Sequence, residues 1–66
     1  MEYTNSQIRT LIEEHIHVLR DREILHERLI NGITFEKLAE MFDMSDRQIK
    51  NIVYKNEQIL FKHLKA

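Results

Sequence analysis

Arg47, Gln48, Lys50, Asn51, Tyr54 and Lys55 stand within nine consecutive positions. These are the residue types that recognise duplex DNA. An arginine fork pairs with guanine O6 and N7, and an asparagine or glutamine amide pairs with adenine N6 and N7. Lysine and tyrosine hold backbone phosphates and so fix register. At about 100° per residue, Arg47, Lys50, Asn51, Tyr54, Lys55, Gln58, Lys62 and Lys65 share one side of a helix. Ile49, Ile52, Val53, Asn56, Ile59, Leu60 and Leu64 share the other. One amphipathic helix thus presents a basic, amide-bearing face and buries an apolar one.

Other chemistries find less support. His15 and His17 are two residues apart and diverge on a helix, while His26 and His63 lack a ligand partner four residues on. A zinc site wants three or four convergent ligands, so no metal is expected. There is no cysteine, which removes disulfides and thiolate ligands. Glu13-Glu14 and Asp21-Glu23 fall on exposed faces or helix starts, where acids are favoured for their own sake. No phosphate-binding glycine loop and no nucleophile–histidine–acid set occurs. The reading is non-enzymatic and without a cofactor.

Sixty-six residues make one domain at most, with a modest core. Proline is absent and Gly32 is the single glycine, which favours helices joined by short turns. No apolar run approaches the roughly 20 residues that cross a bilayer, and Met1–Ser6 lacks the pattern of a secretory signal. No membrane association and a cytoplasmic location are expected. The net charge is −1, whereas a nucleic-acid binder is usually basic. The charge is uneven, however. Residues 1–45 carry five basic and nine acidic side chains, a net of −4; residues 46–66 carry five basic and two acidic, a net of +3. Lysine-rich helix ends also suit the helix dipole, so the asymmetry permits DNA binding without requiring it.

Four helices must position these groups. The first runs from about residue 5 to 17, opened by a Thr4/Gln7 capping box, with Ile8, Leu11, Ile12 and Ile16 as its apolar stripe. The second spans about 21–31 with Asp21 as N-cap; Ile24, Leu25 and Leu29 face inward, Ile30 covers an edge, and Asn31-Gly32 ends it. The third, about Phe35–Phe42, is capped by Thr34 and turns Leu38, Ala39 and Phe42 inward. Asp43-Met44 makes a turn, Ser45 and Gln48 form a second capping box, and the last helix runs from Asp46 to about His63. This layout predicts an all-α, four-helix bundle, one domain over residues 1–66, with a helix-turn-helix within residues 34–56.

Residues Arg20 to Leu60, about two thirds of the chain, resemble region 4 of bacterial sigma-70-type factors and, more distantly, the LuxR-type response-regulator domain. The matching residues are Arg22-Glu23-Ile24-Leu25, Arg28-Leu29, Gly32-Ile33-Thr34-Phe35-Glu36-Lys37-Leu38-Ala39, Met44-Ser45, and Ile49 with Ile52. The chain departs at Asp43, where the family often has glycine. It departs also at Lys37, which leaves the Thr34 capping box incomplete, and at Asn56, where the family usually has alanine. Nothing here matches the promoter-opening region 2. The resemblance implies a small stand-alone transcriptional regulator of the phage, prophage or Firmicutes kind.

The expected function is sequence-specific binding of double-stranded DNA, with Arg47, Gln48 and Asn51 reading bases and Lys50, Tyr54 and Lys55 holding phosphates. Thr34 and Ser45 bring helix N-termini near phosphate. One such module buries little surface, so a homodimer or a partner such as RNA polymerase is expected. Tyr54 and Phe61, seven residues apart, form either a partner or dimer contact or a stripe covered by the N-terminal helix. The alternative is a protein-binding module of the same fold that docks on RNA polymerase or another regulator without reading DNA.

Overall fold

Thr4 opens the first helix by the expected reciprocal cap. Its Oγ1 accepts the Gln7 amide at 3.2 Å, and its own amide donates to Gln7 Oε1 at 2.9 Å. The computed structural model describes residues 4–64, with Leu64 described in its backbone alone. Among the described residues the chain is all-helical: α1 (Asn5–His15), α2 (Leu19–Leu25), α3 (Phe35–Phe42) and α4 (Asp46–Leu64), with no strand. A π-helical turn, His26–Ile30, prolongs α2 without a break. At 1.5 Å per residue, the 19 residues of α4 account for most of the 34 Å long axis.

Two boundaries differ from those read in the sequence. Helix α1 stops at His15, because Ile16 takes an extended conformation (φ −108°, ψ 115°) and turns its side chain into the core. Arg22 reaches back nine residues to hold this end. Its Nη2 donates to the Glu13 carbonyl at 2.7 Å and its Nε to the Ile16 carbonyl. Asp21 is not an N-cap. Helix α2 starts two residues earlier, behind Val18, which offers no side-chain cap. Asp21 instead lies within the first turn, where its carboxylate meets Asn56 Nδ2 at 3.4 Å and Arg20 Nη2 at 3.5 Å.

The two turns around α3 follow the sequence reading. Gly32 has φ +68°, and nothing lies within 4 Å of where its Cβ would stand. Backbone conformation alone therefore asks for glycine there. Past it, Ile33 N–H donates to the Glu27 carbonyl at 3.0 Å. Asp43 closes α3 in the left-handed conformation (φ 54°, ψ 50°). Its amide donates to Glu40 and that of Met44 to Ala39, at 3.4 and 2.9 Å. This is the Schellman arrangement, with Met44 packed back on the core as its apolar partner.

The core gathers residues from all four helices: Ile12, Ile16, Ile24, Leu25, Leu38, Ala39, Ile49, Val53 and Leu60. Ile8, Leu11, Leu29, Phe35, Phe42, Ile52 and Ile59 pack on it partly buried. Helix α4 touches α1, α2 and α3 alike.

Leu38 has no exposure, so Leu38→Ala is expected to lower unfolding free energy by about 2–5 kcal/mol, read by urea denaturation; a loss under about 1 kcal/mol would contradict this packing. At the α3–α4 turn, Asp43→Gly should keep or raise stability, whereas Asp43→Val should lower it by about 1–2 kcal/mol. Equal tolerance of glycine and valine would mean that the turn is not left-handed.

Candidate nucleic-acid interface

Ser45 fixes the start of α4. Its Oγ accepts the Gln48 amide at 3.1 Å, and Gln48 Oε1 accepts the Ser45 amide at 3.0 Å. Thr34 does the same for α3 one-sidedly, accepting the Lys37 amide at 3.2 Å. Lys37 has no carbonyl oxygen to return the bond, and its Nζ lies 3.8 Å from Glu40 instead.

Burial then divides α4 lengthwise. Ile49, Val53, Asn56 and Leu60 are buried, and Ile52 and Ile59 half-buried. Thr34, Ser45, Arg47, Gln48, Lys50, Asn51, Tyr54 and Lys55 are all exposed. Gln58 and Lys62 continue the same face, and Lys65 lies outside the described residues. Among the described residues Arg20–Asp21 and Lys37–Glu40 form ion pairs and His15 lies 3.9 Å from Glu14, and none of these contacts involves a cation of α4. Arg47, Lys50, Lys55 and Lys62 thus have no carboxylate within 4 Å among those residues, and their charge is turned to solvent.

Two candidate roles change in detail. Gln48 Oε1 is engaged in the capping box and also lies 3.3 Å from Ser45 Oγ. A two-bond contact with adenine needs both amide atoms, so it requires that box to open. Tyr54 and Phe61 are about half exposed, at 51% and 49%. Tyr54 meets the Phe35 ring edge-on, with centroids 5.8 Å apart and planes at 72°.

Asn56 sits in the middle of the buried face, 6% exposed. Its Nδ2 donates to the Ile52 carbonyl at 2.8 Å, besides the contact to Asp21 Oδ2. A buried amide must find such partners, and one of them stands 35 residues away in sequence. The place of Asn56 on the apolar arc was visible; the identity of its partner was not.

Other groupings emerge only in three dimensions. His15 and His63 stack with centroids 3.7 Å apart and planes within 5°, tying the end of α1 to the end of α4. Parallel stacked rings do not converge on a metal, and no group of three metal-ligating side chains occurs among the described residues. Arg28 lies over the Phe35 ring at 4.3 Å, and Lys50 Nζ is 5.9 Å from the same centroid. Beside them, Thr34, Phe35, Glu36, Asp46 and Lys50 line an open groove of about 310 Å³. A second groove, of about 360 Å³, lies between α2, its π-helical turn and α3, lined by Glu23, His26, Glu27, Met41 and Phe42.

No family model, no curated protein and no solved structure matches this chain. No helix among the described residues is long and apolar enough to cross a membrane.

The Arg22 contacts are the feature of this frame most open to a direct check. Charge-assisted hydrogen bonds contribute about 1.5–3 kcal/mol, and a lysine cannot reproduce a two-pronged donor. Arg22→Lys is therefore expected to lower stability by about 1–2 kcal/mol, measured by thermal or urea unfolding. An unchanged midpoint would show that the end of α1 is held some other way.

Proposed function

We propose that this chain is a sequence-specific double-stranded DNA-binding regulator of transcription, built on a helix-turn-helix similar to sigma-70 region 4. In this reading α3 supports and α4 enters the major groove. The observation that carries it is the lengthwise division of α4. One face is locked in the core, while the other exposes Arg47, Lys50, Asn51, Tyr54 and Lys55 together, its cations unpaired among the described residues.

Roles follow from chemistry and position. Arg47 and Asn51, four residues apart in the first two turns of α4, suit base edges. Lys50, Lys55 and Tyr54 suit phosphates. Gln48 acts first as a cap. Thr34 and Ser45 cap the starts of α3 and α4, whose residues Thr34 and Asp46 line one groove, and backbone amides at helix starts favour phosphate. A single module of this size gives little specific affinity, so the reading includes a homodimer or RNA polymerase as partner.

The rival is a module of the same fold that docks on RNA polymerase or another regulator without touching DNA. The −1 net charge and the exposed Phe61 and Met41 favour it.

Salt separates the two readings. With about four phosphate contacts, a fourfold rise in salt should weaken duplex binding by roughly 150-fold. No binding of mixed-sequence duplex at low salt and tens of micromolar protein (about the non-specific range) would leave the protein-docking reading. Arg47→Ala with Asn51→Ala should weaken a selected site by roughly 10- to 100-fold or more and flatten base preference. Survival of both affinity and preference would remove α4 as the reader.

A further inference from the structure

We infer that Phe35, at the start of α3, is a positioning residue for the phosphate-contacting edge of α4. The inference rests on the DNA-binding reading and deepens it. Phe35 is half-buried and packs on the core, so its ring is anchored by the fold. Three side chains converge on that ring. The Arg28 guanidinium lies 4.3 Å from the centroid, and its Nη1 donates to the Ile33 carbonyl at 3.0 Å. Tyr54 meets the ring edge-on at 5.8 Å. Lys50 Nζ stands 5.9 Å from the centroid.

Lys50 and Tyr54 are four residues apart, one above the other on the exposed face of α4. The ring gives both a fixed neighbour. For Lys50 the kind of neighbour matters. Glu36 and Asp46 line the same groove, yet among the described residues no carboxylate lies within 4 Å of its ammonium. A carboxylate would cancel the charge that a phosphate needs. An aromatic face attracts the ammonium through its quadrupole and leaves the charge whole. It also narrows the rotamers of a four-carbon stem before binding, which lowers the ordering cost on contact. Arg28 adds a second cation at the same ring. The ligand chemistry is a backbone phosphate of duplex DNA.

Phe35→Leu keeps an apolar side chain and removes the ring. It should weaken duplex binding by roughly three- to fivefold, the scale of an exposed cation–π contact, and Phe35→Tyr should restore it. A double-mutant cycle separates positioning from general loosening. Lys50→Met should cost less in the Phe35→Leu background than in the unaltered protein, whereas strict additivity would overturn the inference. The free protein supplies an independent readout. Ring currents should move the Lys50 ε-methylene protons upfield, an effect lost in Phe35→Leu and kept in Phe35→Tyr. Should Phe35→Leu fail to fold, that resonance in the unaltered protein decides, and an ordinary lysine position overturns the inference. If the unaltered protein binds no duplex at low salt, the DNA-binding reading falls and this one with it. If it binds and Phe35→Leu binds equally well, only the role of Phe35 falls.

Discussion

Burial of Ile49, Val53 and Leu60 along one side of α4 is the constraint on which the rest of the structure depends. Ile49 and Val53 are fully buried and Leu60 nearly so, and each such side chain contributes about 1.5–3 kcal/mol relative to exposure. A core of this size supplies little more than about 3–5 kcal/mol net. Rotating α4 about its axis would therefore cost a large part of the stability of the fold. The same burial fixes where Arg47, Lys50, Asn51 and Tyr54 point. Neighbouring helices reinforce the setting: α1, α2 and α3 all pack on α4, and the Asn56–Asp21 contact ties its buried side to the first turn of α2.

Features set by short-range rules were legible in the sequence. The caps at Thr4, Thr34 and Ser45, the stop at Gly32 and the turn at Asp43 each involve residues within six positions, and each has a composition that only certain conformations suit. The apolar arc of α4 was legible for the same reason, since helical spacing reports a face directly. What the sequence concealed is long-range. Asp21 looked like a cap because aspartate before an apolar run usually is one; its actual use depends on Asn56, 35 residues away. Arg22 holds the end of α1 from a different helix. His15 and His63 meet although no spacing rule relates them.

The candidate site shows the same division. Six of its eight residues belong to α4 and the other two, Thr34 and Ser45, are helix caps, all of them exposed. The platform beneath them does not follow from helical spacing. Phe35 reads as an entry residue of α3; the packing of α3 against α4 brings Lys50 and Tyr54 to its ring, and that of the π-helical turn against α3 brings Arg28. Gln48 carried two incompatible assignments in the sequence, cap and base reader, and the geometry assigns its oxygen to the cap. The charge of the chain is divided in the same way. Affinity for a polyanion depends on local, unpaired cations more than on the sum over the chain, and the acidic residues outnumber the basic ones only before Asp46.

The most direct test of the central claim is a two-dimensional NMR titration of the isotope-labelled protein with a short mixed-sequence duplex at low salt. Binding through α4 predicts shifts concentrated at Thr34, at Ser45 and along the exposed face from Arg47 to Lys55, with the Glu23–Met41 groove unmoved. Shifts confined to that groove, or none at all, would contradict the account.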